Sequence, residues 1–69
     1  MTSISRLQRK QNALQHQYDL LSEKIDRLRA AHAIEAAAAP RFQLEKQIEQ
    51  AQSELDAVEQ QLDELEAEL

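Results

Sequence analysis

Residues 28–44 read LRAAHAIEAAAAPRFQL, and they join two stretches of sequence whose apolar heptad patterns are out of phase. Leu28 and Leu44 each occupy heptad position d in their own stretch, but sixteen positions separate them. That spacing is two heptads plus two residues, and a continuous coiled coil absorbs insertions of three or four residues only. Pro40 lies in this gap, lacks a backbone donor and disfavours a helical conformation at Ala39. The sequence therefore predicts two helices that fold back on each other.

Each stretch has an apolar seam, with steps of three and four residues that keep one side of a helix turned to a partner. The first seam begins at Ile4 and ends at His32, and the second begins at Leu44. The residues expected in the core of the hairpin are Leu7, Leu14, Tyr18, Leu21, Ile25, Leu28, Leu44, Ile48, Ala51, Leu55, Val58, Leu62, Leu65 and Leu69.

Composition favours helix almost throughout, because the sequence has no Gly, one Pro and many residues that lose little on entering a helix. We expect one all-α domain over residues 1–69, an antiparallel two-helix coiled-coil hairpin. Helix 1 is predicted at about 3–34, the turn at about 35–39 and helix 2 at about 40–68, with Pro40 at its first position.

Charge divides unevenly between the two halves. Through residue 33 six basic side chains outnumber three acidic ones, giving +3, whereas from residue 34 onward ten acidic side chains face two basic ones, giving −8. Antiparallel pairing makes the numbers of facing residues sum to 76, so the centre of the fold falls at residue 38, inside the predicted turn. Three ion pairs are expected to fix this orientation, namely Lys10–Glu68, Lys24–Glu54 and Arg29–Glu45.

Two polar residues interrupt the first seam. Gln11 would lie opposite Leu65, where a buried amide without a partner costs about 1–3 kcal/mol. It therefore either reaches solvent near the open end or sets the register across a dimer. His32 is either a simple boundary residue beside the turn or part of a pH-responsive contact with Glu35.

A second, weaker apolar stripe lies outside the main seam of the first helix, at Ala13, Leu20 and Ile34, and Arg27 interrupts it. Phe42 lies outside the main seam of the second helix. Ala13, Leu20, Ile34 and Phe42 form the candidate interaction surface, which would join two hairpins into a four-helix bundle. The alternative is that these are isolated apolar residues of the kind found on any protein surface.

The small size of the chain favours a partner. A domain of 69 residues buries only about 60% of the surface of its unfolded chain. There is no cysteine and no Cys/His spacing suited to a structural metal, so neither can support the fold. We therefore expect a homo-oligomer or attachment to a larger protein. The chain also ends at Leu69 within a heptad, which suggests that it is a piece of something longer.

Several functional classes are disfavoured. Two amphipathic helices form a ridge instead of a pocket, so we expect no enzyme, no cofactor and no small-molecule substrate. His16 and His32 lack the i, i+4 spacing of a zinc site on one helix. No apolar run approaches the roughly 20 residues of a membrane span and no secretion signal is apparent, so we expect a cytoplasmic chain without a membrane partner. A net charge of −5 disfavours nucleic acid.

Four segments resemble a helical-hairpin module found at the N-termini of bacterial, especially cyanobacterial, multidomain proteins. They are Leu21–Ile25 (LSEKI), Arg27–Arg29 (RLR), Ile34–Glu35 and Arg41–Glu49 (RFQLEKQIE). This effector-associated module precedes NACHT or NB-ARC NTPase modules, TIR domains or caspase-like CHAT proteases. The resemblance implies association that recruits or clusters an effector in a conflict or cell-death-like pathway, and it supplies no catalytic residues.

We therefore expect a protein–protein interaction and oligomerisation module whose partner is a second copy, a related hairpin, or an attached or partner effector domain. Two alternatives remain open. The hairpin could be a passive coiled-coil spacer about 40 Å long at 1.5 Å per residue. It could also be a small RNA-binding hairpin dimer that uses the basic side chains of its first helix.

Overall fold

The computed structural model describes residues 3–69, with side chains from residue 4 onward. Helix α1 spans Ser3–Ile34 and helix α2 spans Ala38–Glu66, and residues 35–37 link them. Residues 1 and 2, which the predicted domain includes, lie outside the described residues.

The two helices pack side by side as a hairpin. The Cα positions extend over 56 × 14 × 11 Å, whereas one unbroken helix of this length would measure about 100 Å at 1.5 Å per residue. The three-residue linker leaves no room for the chain to cross over, so α2 runs antiparallel to α1. The predicted all-α, antiparallel two-helix hairpin is thereby confirmed.

The chain leaves the helical conformation after Ile34 and becomes helical again before it reaches Pro40. Ala37 has φ −80° and ψ 138° and is the N-cap of α2, which begins at Ala38. Helix 2 therefore starts two residues earlier than predicted, and the prediction that Ala39 is not helical is wrong. The first N–H groups of any helix lack an intrahelical acceptor, so Pro40 at the third position removes no hydrogen bond. The first bond of α2 runs from the Arg41 N–H to the Ala37 carbonyl, at 3.1 Å.

Glu35 holds the linker in this conformation. Its Oε1 accepts a hydrogen bond from the Ala37 N–H at 3.0 Å, and its carbonyl accepts one from the Arg41 guanidinium at 3.3 Å. The His32 side chain contacts Glu45 at 3.0 Å, and among the described residues no hydrogen bond or salt bridge joins it to the Glu35 side chain, so the expected contact between His32 and Glu35 is not formed. The four alanines that follow Glu35 carry no hydrogen-bonding side chain, so within the linker Glu35 is the residue whose side chain bonds to the backbone.

The core of the hairpin is centred on Ile25 and Ala51, which are 3% and 1% exposed. Leu55 completes this cluster, and Tyr18, Leu21 and Leu28 pack against it. Ala51 belongs to the same buried cluster as Ile25, and its small methyl group leaves space for the larger side chain. The expected register, in which residue numbers across the seam sum to 76, places these same two residues opposite each other.

Burial is unequal between the two seams. Four further seam residues of α2 are buried, whereas Ile25 is the one fully buried residue among those described in α1. The other core residues expected in α1, and two near the turn in α2, are half-buried: Leu7, Leu14, Tyr18, Leu21, Leu28, Leu44 and Ile48. Gln11 is also half-buried, which fits the interpretation that its amide reaches solvent. The seam of α1 therefore keeps part of its apolar surface accessible.

Leu69 is the exception among the predicted core residues. Helix α2 ends at Glu66 instead of about residue 68, and Leu69 follows it with its side chain 52% exposed. Its expected partner Leu7 is accordingly only half-buried. The seam loses its last layer because the helical repeat that would direct Leu69 toward α1 stops three residues before it.

Candidate interaction surface

All four residues of the predicted interaction surface are exposed. Leu20 is 52% exposed, Ile34 86% and Phe42 57%, and Ala13 is also exposed. They do not form one patch, however. Heptad positions c and g lie on one side of the seam and positions b and e on the other. Leu20, Ala13 and Ile34 occupy c, whereas Phe42 occupies b, so Phe42 lies on the opposite side of the hairpin.

Leu20 borders a groove of about 480 Å³ between the helices. Leu21 and Val58 of the seam form its floor, and Leu20 and Ala57 form its two walls. The remaining lining residues are Gln17 and Glu54. Because Leu21 is only half-buried, the seam itself is accessible at this point. The four apolar lining residues therefore offer a partner a nearly continuous apolar surface.

A second groove of about 210 Å³ lies on the same side, toward the open end. It is polar at its edges, where Lys10 of α1 lies near Glu64 of α2 and near Glu68, which follows α2. We call this side of the hairpin the Leu20 face. Outside the seams, this face contains charged residues together with polar and apolar ones. The main residues of the face are Arg6, Lys10, Ala13, Gln17, Leu20, Lys24, Arg27, Ile34, Glu54, Ala57, Gln61, Glu64 and Glu68.

The other side, which we call the Phe42 face, is strongly acidic. Among the described residues, Phe42 is the large apolar residue of this face, and the Lys46 Nζ lies 5.3 Å from the ring centroid. Lys46 also contacts Glu49, with Nζ 3.6 Å from Oε2. The charged residues of this face at positions b and e are Asp19, Asp26, Arg29, Glu45, Glu49, Asp56, Glu59, Asp63 and Glu66.

The three predicted ion pairs are not formed. Among the described residues, the contacts within 4.0 Å between basic and acidic side chains are His32–Glu45 at 3.0 Å and Lys46–Glu49 at 3.6 Å. Glu45 therefore contacts His32 instead of the predicted Arg29. Exposed pairs of long side chains gain only about 0–1 kcal/mol and lose rotamer entropy, so these charges stay solvated. The unformed pairs are Lys10–Glu68, Lys24–Glu54 and Arg29–Glu45.

Within residues 3–69, no three His, Cys, Asp or Glu side chains cluster closely enough to hold a metal ion. Over the same residues, neither helix contains a stretch with the length and apolarity that crossing a bilayer demands. The Leu20 face has an apolar area between a row of basic side chains on the α1 side and a row of acidic side chains on the α2 side.

The sequence prediction missed Ala57 and Gln17, which line the groove beside Leu20. The register contained the signal, because residues whose numbers sum to about 76 lie across the seam from each other. Leu20 therefore had to face the neighbourhood of Ala57. The prediction also grouped Phe42 with Leu20, although their heptad positions b and c already separate them.

The sequence was compared with protein families, curated proteins and solved structures. The sequence model of the family described as Effector-associated domain 9 matches residues 2–65. No curated protein and no solved structure matches the chain. The family match extends over both helices and the linker, and it confirms the resemblance to an effector-associated module. This helical hairpin belongs to the effector-associated domain 9 family.

Proposed function

We propose that this hairpin is a non-enzymatic association module that binds a second copy of itself or a related hairpin and thereby clusters an effector domain. The observation that carries the proposal is the Leu20 groove, where the seam of α1 remains accessible between apolar walls. Family membership supports a regulatory or interaction role for the domain.

The energetics of the hairpin point the same way. Five of the six buried core residues belong to α2, whereas Ile25 is the one buried in α1 among the described residues, so the seam of α1 keeps apolar surface exposed in the isolated hairpin. Covering the half-buried seam of α1 would add about 25 cal/mol for each Å² removed from water. A second hairpin supplies that cover, and charges along the helices fix its orientation.

The proposed setting is bacterial and cytoplasmic. The effector served by such a module would be a NACHT or NB-ARC NTPase, a TIR domain or a CHAT protease in a defence or cell-death-like pathway. The module itself would contribute proximity, which raises the effective concentration of attached domains. Catalysis would belong entirely to the effector.

Mass measured by light scattering over a concentration series tests the proposal. An association module gives a mass that rises from one chain toward two or more chains as concentration increases. A passive spacer stays at the mass of one chain at every concentration. That result, together with failure to bind any related hairpin, would overturn the proposal.

RNA binding makes a different prediction. Binding through phosphates requires low salt and weakens steeply as salt rises. The acidic Phe42 face and the glutamates of α2 would repel the backbone of a nucleic acid. An absence of binding to single- and double-stranded RNA at low salt separates this alternative from protein association.

A further inference from the structure

We infer that the partner on the Leu20 face is a second copy of this chain, placed so that α1 of each hairpin lies over α2 of the other. The inference rests on the proposed function and deepens it, because it assigns one face and one orientation to the association. The dimer axis would run along the length of the hairpins, within the plane of the interface. Such an interface is isologous, since both copies use the same surface.

Charge on the Leu20 face is segregated by helix. On α1 every charged residue of this face is basic, whereas on α2 and in the residues that follow it every one is acidic. The basic residues are Arg6, Lys10, Lys24 and Arg27, and the acidic residues are Glu54, Glu64 and Glu68. Two copies of such a face attract each other when α1 meets α2 of the partner. They repel when α1 meets α1, because the two basic rows are then superimposed.

The charges match in their position along the long axis of the hairpin, which we call their height, as well as in their sign. Along the hairpin, Lys10 lies level with Glu68, and Lys24 lies level with Glu54, because the helices run antiparallel. Rotation about an axis along the hairpin keeps every residue at its own height. Each lysine of one copy therefore comes level with the matching glutamate of the other. Gln17 and Gln61, between the two charged levels, are matched in the same way.

These charged groups are available for a partner. Among the described residues, Lys10, Lys24, Glu54 and Glu68 form no salt bridge within 4.0 Å and no side-chain hydrogen bond. A partner would place a second opposite charge beside each of them. The result is a layer in which neighbouring charges alternate around the four helices.

The apolar centre of the face fits the same orientation. Leu20 of one copy comes level with Ala57 of the other, so the larger side chain meets the smaller one. The groove between Leu20 and Ala57 then accommodates the Leu20 side chain of the partner. In the alternative orientation, with α1 on α1, the Leu20 side chains of both copies would lie between the two α1 helices. No large side chain of the partner would then lie opposite Ala57.

The Phe42 face is unsuited to a second copy. Its charged residues at positions b and e are eight acidic side chains and Arg29, so two such faces would bring a net −7 against −7. Its polar side chains also satisfy one another, since Gln15 donates to Asp19 at 3.2 Å and Gln52 to Asp56 at 3.0 Å. Self-association through Phe42 is therefore opposed by charge.

The size of the face is adequate for a stable dimer. One broad side of the hairpin measures 56 × 14 Å, and a standard specific interface buries on the order of 800 Å² on each partner. Nearly the whole Leu20 face would be used. The four helices would then pack as a bundle in which every neighbouring pair is antiparallel.

Matched substitutions test which face is used. Leu20→Asp and Phe42→Asp each place a carboxylate at an exposed apolar residue of similar exposure, 52% and 57%. We expect Leu20→Asp to weaken dimerisation at least about 100-fold, because it removes the central apolar contact twice per dimer. Phe42→Asp should leave the dissociation constant within about threefold. Sedimentation equilibrium gives the constants, and circular dichroism checks that both variants keep the helix content of the wild-type chain.

Charge reversal tests the orientation. Lys24→Glu should weaken the dimer about tenfold, as should Glu54→Lys, and the double variant Lys24→Glu/Glu54→Lys should recover wild-type affinity. In the orientation with α1 on α1, Lys24→Glu would instead strengthen the dimer, because it relieves repulsion between two basic rows. That result would overturn the inferred orientation.

The outcomes separate this inference from the proposed function. A dimer that Phe42→Asp disrupts and Leu20→Asp does not would overturn the choice of face while the association function stands. A wild-type chain that stays monomeric up to millimolar concentration would overturn the inferred dimer. The proposed function would then depend on binding to a related hairpin alone.

Discussion

The Nε2 atom of His32 lies 3.0 Å from the Oε1 atom of Glu45, and this contact joins the last turn of α1 to α2. His32 is 23% exposed and Glu45 is 50% exposed at their side chains. The contact lies beside the linker, where the Arg41 guanidinium of α2 donates a hydrogen bond to the Glu35 carbonyl of the linker. The turn end of the hairpin is therefore held by polar contacts, whereas the middle is held by apolar packing.

Removing the contact between His32 and Glu45 should cost little, because both groups are partly exposed. We expect a coupling energy of about 0.5 kcal/mol between His32→Ala and Glu45→Ala in a double-mutant cycle. Urea unfolding at one fixed, low chain concentration provides the free energies, since association stabilises the folded chain by mass action. The control is the cycle between Arg29→Ala and Glu45→Ala, which should give a coupling near zero. Equal coupling energies in the two cycles would show that Glu45 interacts with Arg29 as strongly as with His32.

Enlarging Ala51 should destabilise the hairpin, because this residue is 1% exposed and belongs to the buried cluster that contains Ile25. We expect Ala51→Leu to lower the free energy of unfolding by about 1–3 kcal/mol, as overpacking of a core usually does. Ala33→Leu makes the same chemical change at an exposed position of α1 and should stay within about 0.5 kcal/mol of wild type. Both values come from urea unfolding followed by circular dichroism. An Ala51→Leu variant as stable as the Ala33→Leu variant would contradict this description of the core.

A better N-cap should stabilise α2. Ala37 has the extended conformation that N-caps adopt but no side-chain oxygen to accept a hydrogen bond from the helix. Ala37→Ser would supply one for the Ala39 N–H, since Pro40 has no N–H to offer. We expect a gain of about 0.5–1 kcal/mol in the free energy of unfolding. Ala36→Ser, one residue earlier in the linker, is the control and should have no comparable effect.

The phase difference between the two apolar seams was sufficient to predict the hairpin. Ile25 and Ala51 could be paired from their residue numbers because heptad position fixes both the side and the height of a residue. The residue at which the chain leaves α1 and turns back could not be predicted from heptad positions in the same way. Residues 36–39 are four alanines with equal helix propensity, so the boundary depends on hydrogen bonds that Glu35 makes, and not on local preference.

The charged contacts were the least predictable part of the candidate site. Register placed Lys24 beside Glu54, yet the side chains remain apart because pairing on an exposed surface gains almost nothing. The contact of Glu45 with His32 formed instead, since His32 belongs to the seam and has less freedom to lose. Exposed apolar residues such as Leu20 were identified correctly as exposed, but only the groove beside Ala57 indicates which face is accessible.

Replacing Pro40 should leave the hairpin intact. Pro40 is the third residue of α2 and removes no hydrogen bond there, and the chain already reverses in the linker at residues 35–37. The mismatch between the two seams, and not the proline, then decides the fold, because a continuous helix would turn the two seams to different sides. Small-angle scattering of Pro40→Ala should give the maximum dimension of the wild-type chain, near the 56 Å extent of its Cα positions. A shift toward about 100 Å, the length of one unbroken helix, would show that the proline is what forces the reversal.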